Sequence, residues 1–389
     1  MTGAALYYTE NWMQMKTKLI FLLPLVLFLN IGYSQESGET GLQWWNPVSS
    51  NVPVLEGQMW PGEAGHFYDR FPARAKDVVR KEVWSLSRNG AGLKLRFRTN
   101  SKQITIRYQV EKKKLAMDHF PATGVSGIDL YSLNRDGSWA WATGRYQFGD
   151  TIVYQFSNLD LDTKDYPDGR EYHLYLPLYN NVIWLEIGVS KQTSFTALPA
   201  RTEKPVVVYG TSIAQGGCAS RPGMAWTAIL ERQLGVPMVN LGFSGNGRME
   251  EEVVNLVAEI NARVFVLDCL PNLGGFEPAE VEKRILHAVR YLRKKHPGTP
   301  VVLVEHSGFV ENRLNAATRQ TINRSNNTLQ QAYKILVAEG VTGLYRLPAA
   351  DIDMGTDGTV DGSHPTDFGM HKYAVGYEKL LRRIPGITK

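Results

Sequence analysis

The hydrophobic period changes once along this chain, at "ALPARTEKP" (197–205), and that change limits it to a small set of folds. Before it, from about 66 to 200, short runs alternate apolar and polar residues: "GLKLRFRTN", "QITIRYQV", "IDLYSL", "TIVYQF", "EYHLYLPLY" and "VIWLEIGV". Each is rich in β-branched or aromatic residues and bounded by Gly, Asn, Asp or Pro, as in the strands of an antiparallel sandwich. After it, apolar runs at 206–209, 237–241, 264–268, 301–305 and 343–347 alternate with segments of helical period near 224–234, 249–261, 278–296, 318–339 and 367–383. Regular alternation of this kind predicts a doubly wound parallel sheet. At 389 residues the chain is long for a single core. A β-sandwich domain at 35–200 followed by an α/β domain at 201–389 is therefore expected.

The N-terminus is of a different kind. "MKTKLIFLLPLVLFLNIGYSQ" begins at Met15 with two lysines and runs apolar from Leu19 to Leu29, with Gly32 and Ser34 ahead of Gln35. Eleven residues interrupted by Pro24 are too few to span a bilayer. The pattern fits a secretory signal over residues 1–34, with Met15 as an alternative start, so the mature chain is expected to be exported to the periplasm or medium. A net charge of +5 from scattered basic residues leaves no nucleic-acid footprint. The one dense run, "RYLRKKH" at 290–296, suits the end of an amphipathic helix, where cations favour the negative pole of the dipole.

In "VVVYGTSIAQGGCASRPGMAWT" (206–227), Ser212 stands where the strand-like run gives out. Open α/β sheets bind ligands at the carboxyl ends of their strands, where a helix N-terminus also offers N–H groups to an anion. A nucleophilic serine needs a base, and the base an orienting group. "DGTVDGSHPTDFG" (357–369) supplies both, with Asp361 three residues before His364, a spacing that can fold the carboxylate onto the imidazole. Candidate oxyanion donors follow the next two strands: the backbone of Gly245 in "NLGFSGNG" (240–247) and the side-chain amide of Asn272 in "LPN" (270–272). Singly, Gly245 reads as turn chemistry, Asn272 as a loop hydrogen bond and His364 as a helix-start residue.

In order, these blocks resemble those of the SGNH, or GDSL-like, hydrolase superfamily: "YGTS" with Ser212, "NLGFSG" with Gly245, "LPN" with Asn272, and "DGSH" with Asp361 and His364. The resemblance covers about 205–383 and implies a flavodoxin-like doubly wound hydrolase fold. It implies Ser212 as nucleophile, His364 as base and Asp361 as its orienting group, with the Ser212 N–H, Gly245 and Asn272 as the oxyanion hole. Thr211 stands where an aspartate is usual, and Leu270–Pro271 replace the glycines before the asparagine. The G-x-S-x-G elbow of α/β-hydrolases is not met, since Ala214 holds the last glycine position. In the first half, "GIDLY" (127–131) resembles the GxDLY motif of a β-rich domain that precedes esterases of this type. Together these imply an exported serine esterase, without cofactor, that removes short acyl groups, acetyl foremost, from a small-molecule or oligosaccharide ester. A lipase- or thioesterase-like acyl hydrolase and a carbohydrate-binding protein with an inactive hydrolase half are the alternatives.

Other residues are candidates for the substrate pocket. Arg221 and Trp226 follow Ser212, and Glu305 opens "EHSGF" after a strand; each has an equally plain structural reading. Asp129 closes a turn or pairs with a strand arginine, or else "MDHFPATGVSGIDLY" (117–131) reaches over the cleft. "DIDMGTDGTVD" (351–361) lacks the ligand spacing and closing glutamate of a calcium loop, and no histidine–carboxylate grouping is spaced as a metal site, so no metal is expected. Cys218 and Cys269 leave two readings. In a sheet of order 2-1-3-4-5 they lie at the same end of adjacent strands and are either a disulfide or two buried thiols.

Overall fold

The computed structural model describes residues 41–160, 165–308 and 313–387; the signal segment expected at 1–34 lies outside the described residues. Thr40–Lys389 form one compact unit. Its first half carries β1 (Leu42–Trp45), β2 (Leu55–Glu56), β3 (Lys94–Thr99), β4 (Ile104–Val110), β5 (Asp129–Leu133), β6 (Trp139–Ala142), β7 (Arg145–Gln147), β8 (Ile152–Phe156), β9 (Arg170–Tyr175), β10 (Val182–Ser190) and β11 (Phe195–Leu198). Two short helices, α1 (Lys81–Ser87) and α2 (Ala122–Val125), interrupt them. The strands form two antiparallel sheets, β1-β10-β4-β8-β7 and β11-β3-β9-β5-β6, with β2 added on β3. Alternation along each strand decides what is inside: Leu95 and Phe97 of β3, Ile104, Ile106 and Tyr108 of β4, and Leu185, Ile187 and Val189 of β10 share one core.

The second half is a parallel sheet of β12 (Val206–Gly210), β13 (Met238–Gly242), β14 (Val264–Asp268), β15 (Val301–Val304) and β16 (Leu344–Leu347) in the order β13-β12-β14-β15-β16. Among the described residues, six α-helices accompany it: α3 (Ser212–Gln215), α4 (Trp226–Leu234), α5 (Glu251–Val257), α6 (Pro278–Lys295), α7 (Ala316–Ala338) and α8 (Asp367–Leu381). Val207, Tyr209, Leu241, Phe265 and Leu267 face the layer of α5, α6 and α7. Val206, Val208, Val264, Val266 and Val302 face that of α4 and α8. Burial on both faces is why these strands read as unbroken apolar runs. The basic run at 290–296 ends α6, with Arg293, Lys294 and Lys295 in its last turn.

The first half feeds both layers of the second. Phe71, Ala75, Val79 and Val83 join one, and Phe120, Val125, Leu178 and Tyr179 join the other. A buried ion network crosses the same seam. Lys94 on β3 meets Glu56 at 3.1 Å and also contacts Glu231 on α4, while Arg201 from the connecting segment bonds both carboxylates. Removing one partner there would strand a buried charge, which costs far more than the pair contributes.

Asp268, at the carboxyl end of β14, is a buried carboxyl beside the Tyr377 hydroxyl, which offsets only part of the cost of burying its charge. Burial pushes it from 3.8 up to about 7. Between those values the folded chain holds a proton that the unfolded chain has lost, so stability falls as pH rises through that window. Asp268→Asn is therefore expected to raise the thermal midpoint by ~5 °C or more near pH 8, and to bring no such gain near pH 4. Equal midpoints for the two proteins near pH 8 would contradict this.

Candidate active site

Ser212 is placed by a turn with almost no slack. A Cβ on Gly210, the last residue of β12, would lie 2.6 Å from the Ala214 Cβ and 3.1 Å from the Asp268 carbonyl, so only glycine lets the chain turn there. Thr211, in the position where an aspartate is usual, caps α3: its carbonyl accepts the Gln215 N–H at 2.9 Å and its Oγ1 the Ile213 N–H at 3.4 Å. Ser212 is thus the first helical residue, with its backbone N–H at a position that no helical carbonyl can satisfy.

The structure brings the three proposed triad residues together. His364 Nε2 lies 2.8 Å from Ser212 Oγ, and His364 Nδ1 lies 2.7 Å from Asp361 Oδ2. The other Asp361 oxygen accepts the backbone N–H groups of Ser363 at 3.0 Å and His364 at 2.7 Å, which folds the loop into the shape that the three-residue spacing predicts. Burial raises the Asp361 carboxyl, but the His364 and Ser363 donors outweigh it and hold it at about 2. The anion fixes the imidazole proton on Nδ1 and leaves the Nε2 lone pair for the serine hydroxyl.

Of the two loops expected to carry oxyanion donors, that of Gly245 presses against this turn, and the Asn272 loop is bonded to it through Gly247. Gly245 is exposed at φ +70°, and its N–H has no partner among the described residues. A Cβ on Gly247 would sit 2.1 Å from the Gly210 carbonyl. Asn272 ends a one-turn 3-10 helix, Leu270–Asn272, in which Pro271 costs nothing because no donor is needed there. The Gly247 N–H, which can only donate, bonds the Asn272 side chain at 3.1 Å. That fixes Oδ1 toward the backbone and leaves the amide NH₂ free to donate.

Several supporting residues have no sequence signature. Gln215 is fully buried, with Oε1 accepting the Ser244 N–H at 3.0 Å and Nε2 donating to the Leu178 carbonyl at 3.1 Å. Tyr179 donates its hydroxyl to the Ser212 carbonyl at 3.2 Å. Arg70 is completely buried and donates to the carbonyls of Asn240 (2.8 Å) and Gly242 (3.0 Å) at the end of β13. His119 comes from the loop before α2, its ring centroid 5.9 Å from that of His364. α2, which follows that loop, packs on the segment after α3, with the Thr123 hydroxyl donating to the Ser220 carbonyl at 2.6 Å.

For the residues suggested for the substrate pocket, the structure shows structural partners. Asp129 is buried and pairs with Arg221, which also bonds the Tyr131 hydroxyl at 2.6 Å; Asp129 further accepts from Trp141 Nε1 (2.6 Å) and the Gly223 N–H (3.0 Å). Both charges are thus spent in joining the two halves of the chain. It is His119, not Asp129, that the 117–131 segment brings to the triad. Trp226 is wholly buried and stacks on Tyr377 at 4.1 Å. Glu305 is buried, paired with Arg346 and accepting from Gln330 (2.9 Å) and the Ala349 N–H (3.0 Å).

Cys218 and Cys269 are both free and buried, which rules in favour of two thiols over a disulfide. Their strands are neighbours as expected, but alternation along β14 sends Phe265, Leu267 and Cys269 into the α5–α7 layer, where the Cys269 thiol lies 3.4 Å from the Tyr209 carbonyl. Cys218 packs in the opposite layer, with Ile213 and Ala214. Size is a poor guide to the site in this molecule. A cavity of about 760 Å³ opens near the amino ends of β12 and β13, lined by Val54, Met59, Phe67, Pro205 and Pro237, and includes none of the triad residues.

The model of the GDSL-like lipase/acylhydrolase family matches residues 203–382, and a model for the N-terminus of SGNH-hydrolase-type esterases matches residues 42–195. A solved structure described as a GDSL-like lipase, from Bacteroides ovatus ATCC 8483, shares 32% identity with a TM-score of 0.79, over 88% of this chain and 98% of that one. The chain belongs to the GDSL-like, or SGNH, hydrolase family. The same fold appears in the salicylyl-acyltransferase SsfX3 of a tetracycline biosynthetic pathway (18% identity, TM-score 0.70, 88% and 98% of the two chains). It appears also in the acetyl xylan esterase Est2A of Butyrivibrio proteoclasticus (10% identity, TM-score 0.51, 90% and 100%). No curated protein matches the chain. No helix among the described residues is long and apolar enough to cross a membrane.

Proposed function

We propose that the protein is an exported serine esterase that removes short acyl groups, acetyl foremost, from carbohydrate esters. One observation carries the chemistry: the continuous hydrogen-bonded chain Asp361–His364–Ser212 at the carboxyl edge of the parallel sheet. His364 takes the Ser212 proton as Oγ attacks the ester carbonyl, then returns it to the departing alcohol. Water, deprotonated by the same imidazole, releases the acid from the acyl-serine. The Ser212 and Gly245 N–H groups and the Asn272 amide supply the oxyanion donors. Export rests on the segment at 15–35, and the carbohydrate on that export, on an aromatic-rich β half and on the acetyl xylan esterase among proteins of this fold.

The test is acetate release from acetylated xylo-oligosaccharides, beside p-nitrophenyl esters of increasing chain length. Acetate release with a preference for the shortest acyl group is the expected result; turnover of long-chain esters alone would replace this reading with a lipase. Asn272→Ala is expected to lower kcat by ~10²- to 10³-fold with KM little changed, the usual scale for one oxyanion donor. A loss below about threefold would assign that donor elsewhere.

A further inference from the structure

We infer that His119, Cys218, Asp361 and His364 form a binding site for a borderline-soft divalent cation, of the zinc or cobalt kind, whose occupancy switches the esterase off. The inference rests on the proposed catalytic roles of Asp361 and His364 for its consequence, though not for the binding itself.

The four residues come from three segments far apart in sequence: the loop before α2, the loop after α3 and the loop before α8. One ligand atom from each lies within 4.8 Å of the others. Around a tetrahedral zinc ion, with metal–ligand bonds of ~2.0–2.3 Å, ligand atoms stand roughly 3.5 Å apart, so closure asks for movements on the order of 1 Å. His119 can make such a movement because it is exposed on its loop, with its ring already beside that of His364. Cys218 is held at φ +69°, a conformation that non-glycine residues rarely adopt, and its thiol takes no part in acyl transfer.

Two imidazoles, a thiol and a carboxylate suit zinc or cobalt, whereas calcium and magnesium ask for oxygen ligands throughout. On binding, the Cys218 S–H bond breaks, a sulfur–metal bond forms and the proton leaves to solvent, with no change of oxidation state. The ion takes the Asp361 oxygen together with His364 Nδ1, the nitrogen that faces it; the ring proton moves to Nε2, and no lone pair is left there to accept the Ser212 proton. It therefore inhibits, in contrast to a catalytic metal, and chelation restores activity instead of abolishing it.

The test has two arms. In chelator-treated protein, Zn²⁺ is titrated against hydrolysis of a chromogenic acetate ester, each variant being referred to its own metal-free rate. Wild type is expected to be inhibited and restored by EDTA. Cys218→Ser and His119→Ala should raise the half-inhibitory concentration by ~10-fold or more, since loss of a residue that merely supports a ligand already has that effect. Independently of turnover, Co²⁺ added to Ser212→Ala should give a thiolate-to-cobalt charge-transfer band that is absent from Ser212→Ala/Cys218→Ser. Unchanged zinc sensitivity in both single variants, or no cobalt band, overturns the site. Failure of the esterase reading would show instead as full activity in Ser212→Ala, an outcome that leaves the cobalt band free to decide the site.

Discussion

Ser212→Ala is expected to lower kcat by ~10³-fold or more while leaving the fold and its thermal midpoint nearly unchanged. The two effects separate because Ser212 does not hold its own turn together. Thr211 supplies the helix cap, Gly210 and Gly247 supply the close approach, and the Tyr179 contact is made to the Ser212 backbone carbonyl. Only the Oγ hydrogen bond to His364 is lost with the side chain. A variant that kept a tenth of wild-type turnover would rule out covalent catalysis through this residue.

Asp361→Asn should be comparably severe, at ~10³- to 10⁴-fold in kcat, and for a reason specific to this loop. One carboxylate oxygen accepts two backbone N–H groups, those of Ser363 and His364. An asparagine must give its single oxygen to that pair, which turns its NH₂ toward the ring. Imidazole Nδ1 then has to accept, its proton moves to Nε2, and no lone pair faces the Ser212 hydroxyl. Pre-steady-state acylation is the measurement that isolates this step. The loss should appear there with little change in KM, whereas a loss confined to KM would mean that Asp361 shapes the substrate site.

The parallel half was legible in the sequence because its strands are buried on both faces and its helices are long enough to show their period. The hydrogen-bonded chain Asp361–His364–Ser212 was legible for a related reason: Asp361 and His364 are sequence neighbours, so one pairing could be inferred locally and only Ser212 had to be brought in from a distance. In the first half, β1, β2, β6, β7 and β11 are only two to four residues long, and the residues of β7 are all exposed, which leaves too little alternation to recognise. α1 is only seven residues long and sits among strand-like runs, so its helical period does not show. The suggested pocket residues failed on side-chain direction. Arg221 and Trp226 follow Ser212 closely in sequence, yet one turns to Asp129 and the other into the core. The segment 117–131 could be suspected of reaching the cleft, but not His119 in particular, because its place beside His364 depends on how the two halves of the chain pack. The choice between the two readings of the cysteines turned on the same point at smaller scale, since strand order gave their proximity along the sheet but not the face each occupies.

Whether Ser212 carries the acyl group is tested most directly by a mechanism-based label. Wild-type protein treated with a serine-directed fluorophosphonate should lose activity in step with incorporation of one phosphonyl group, which peptide mass mapping places on Ser212. His364→Ala should take up the label far more slowly, because attack by Oγ needs the base 2.8 Å away. Stoichiometric labelling of a different residue, or inactivation that leaves Ser212 unmodified, would contradict the account.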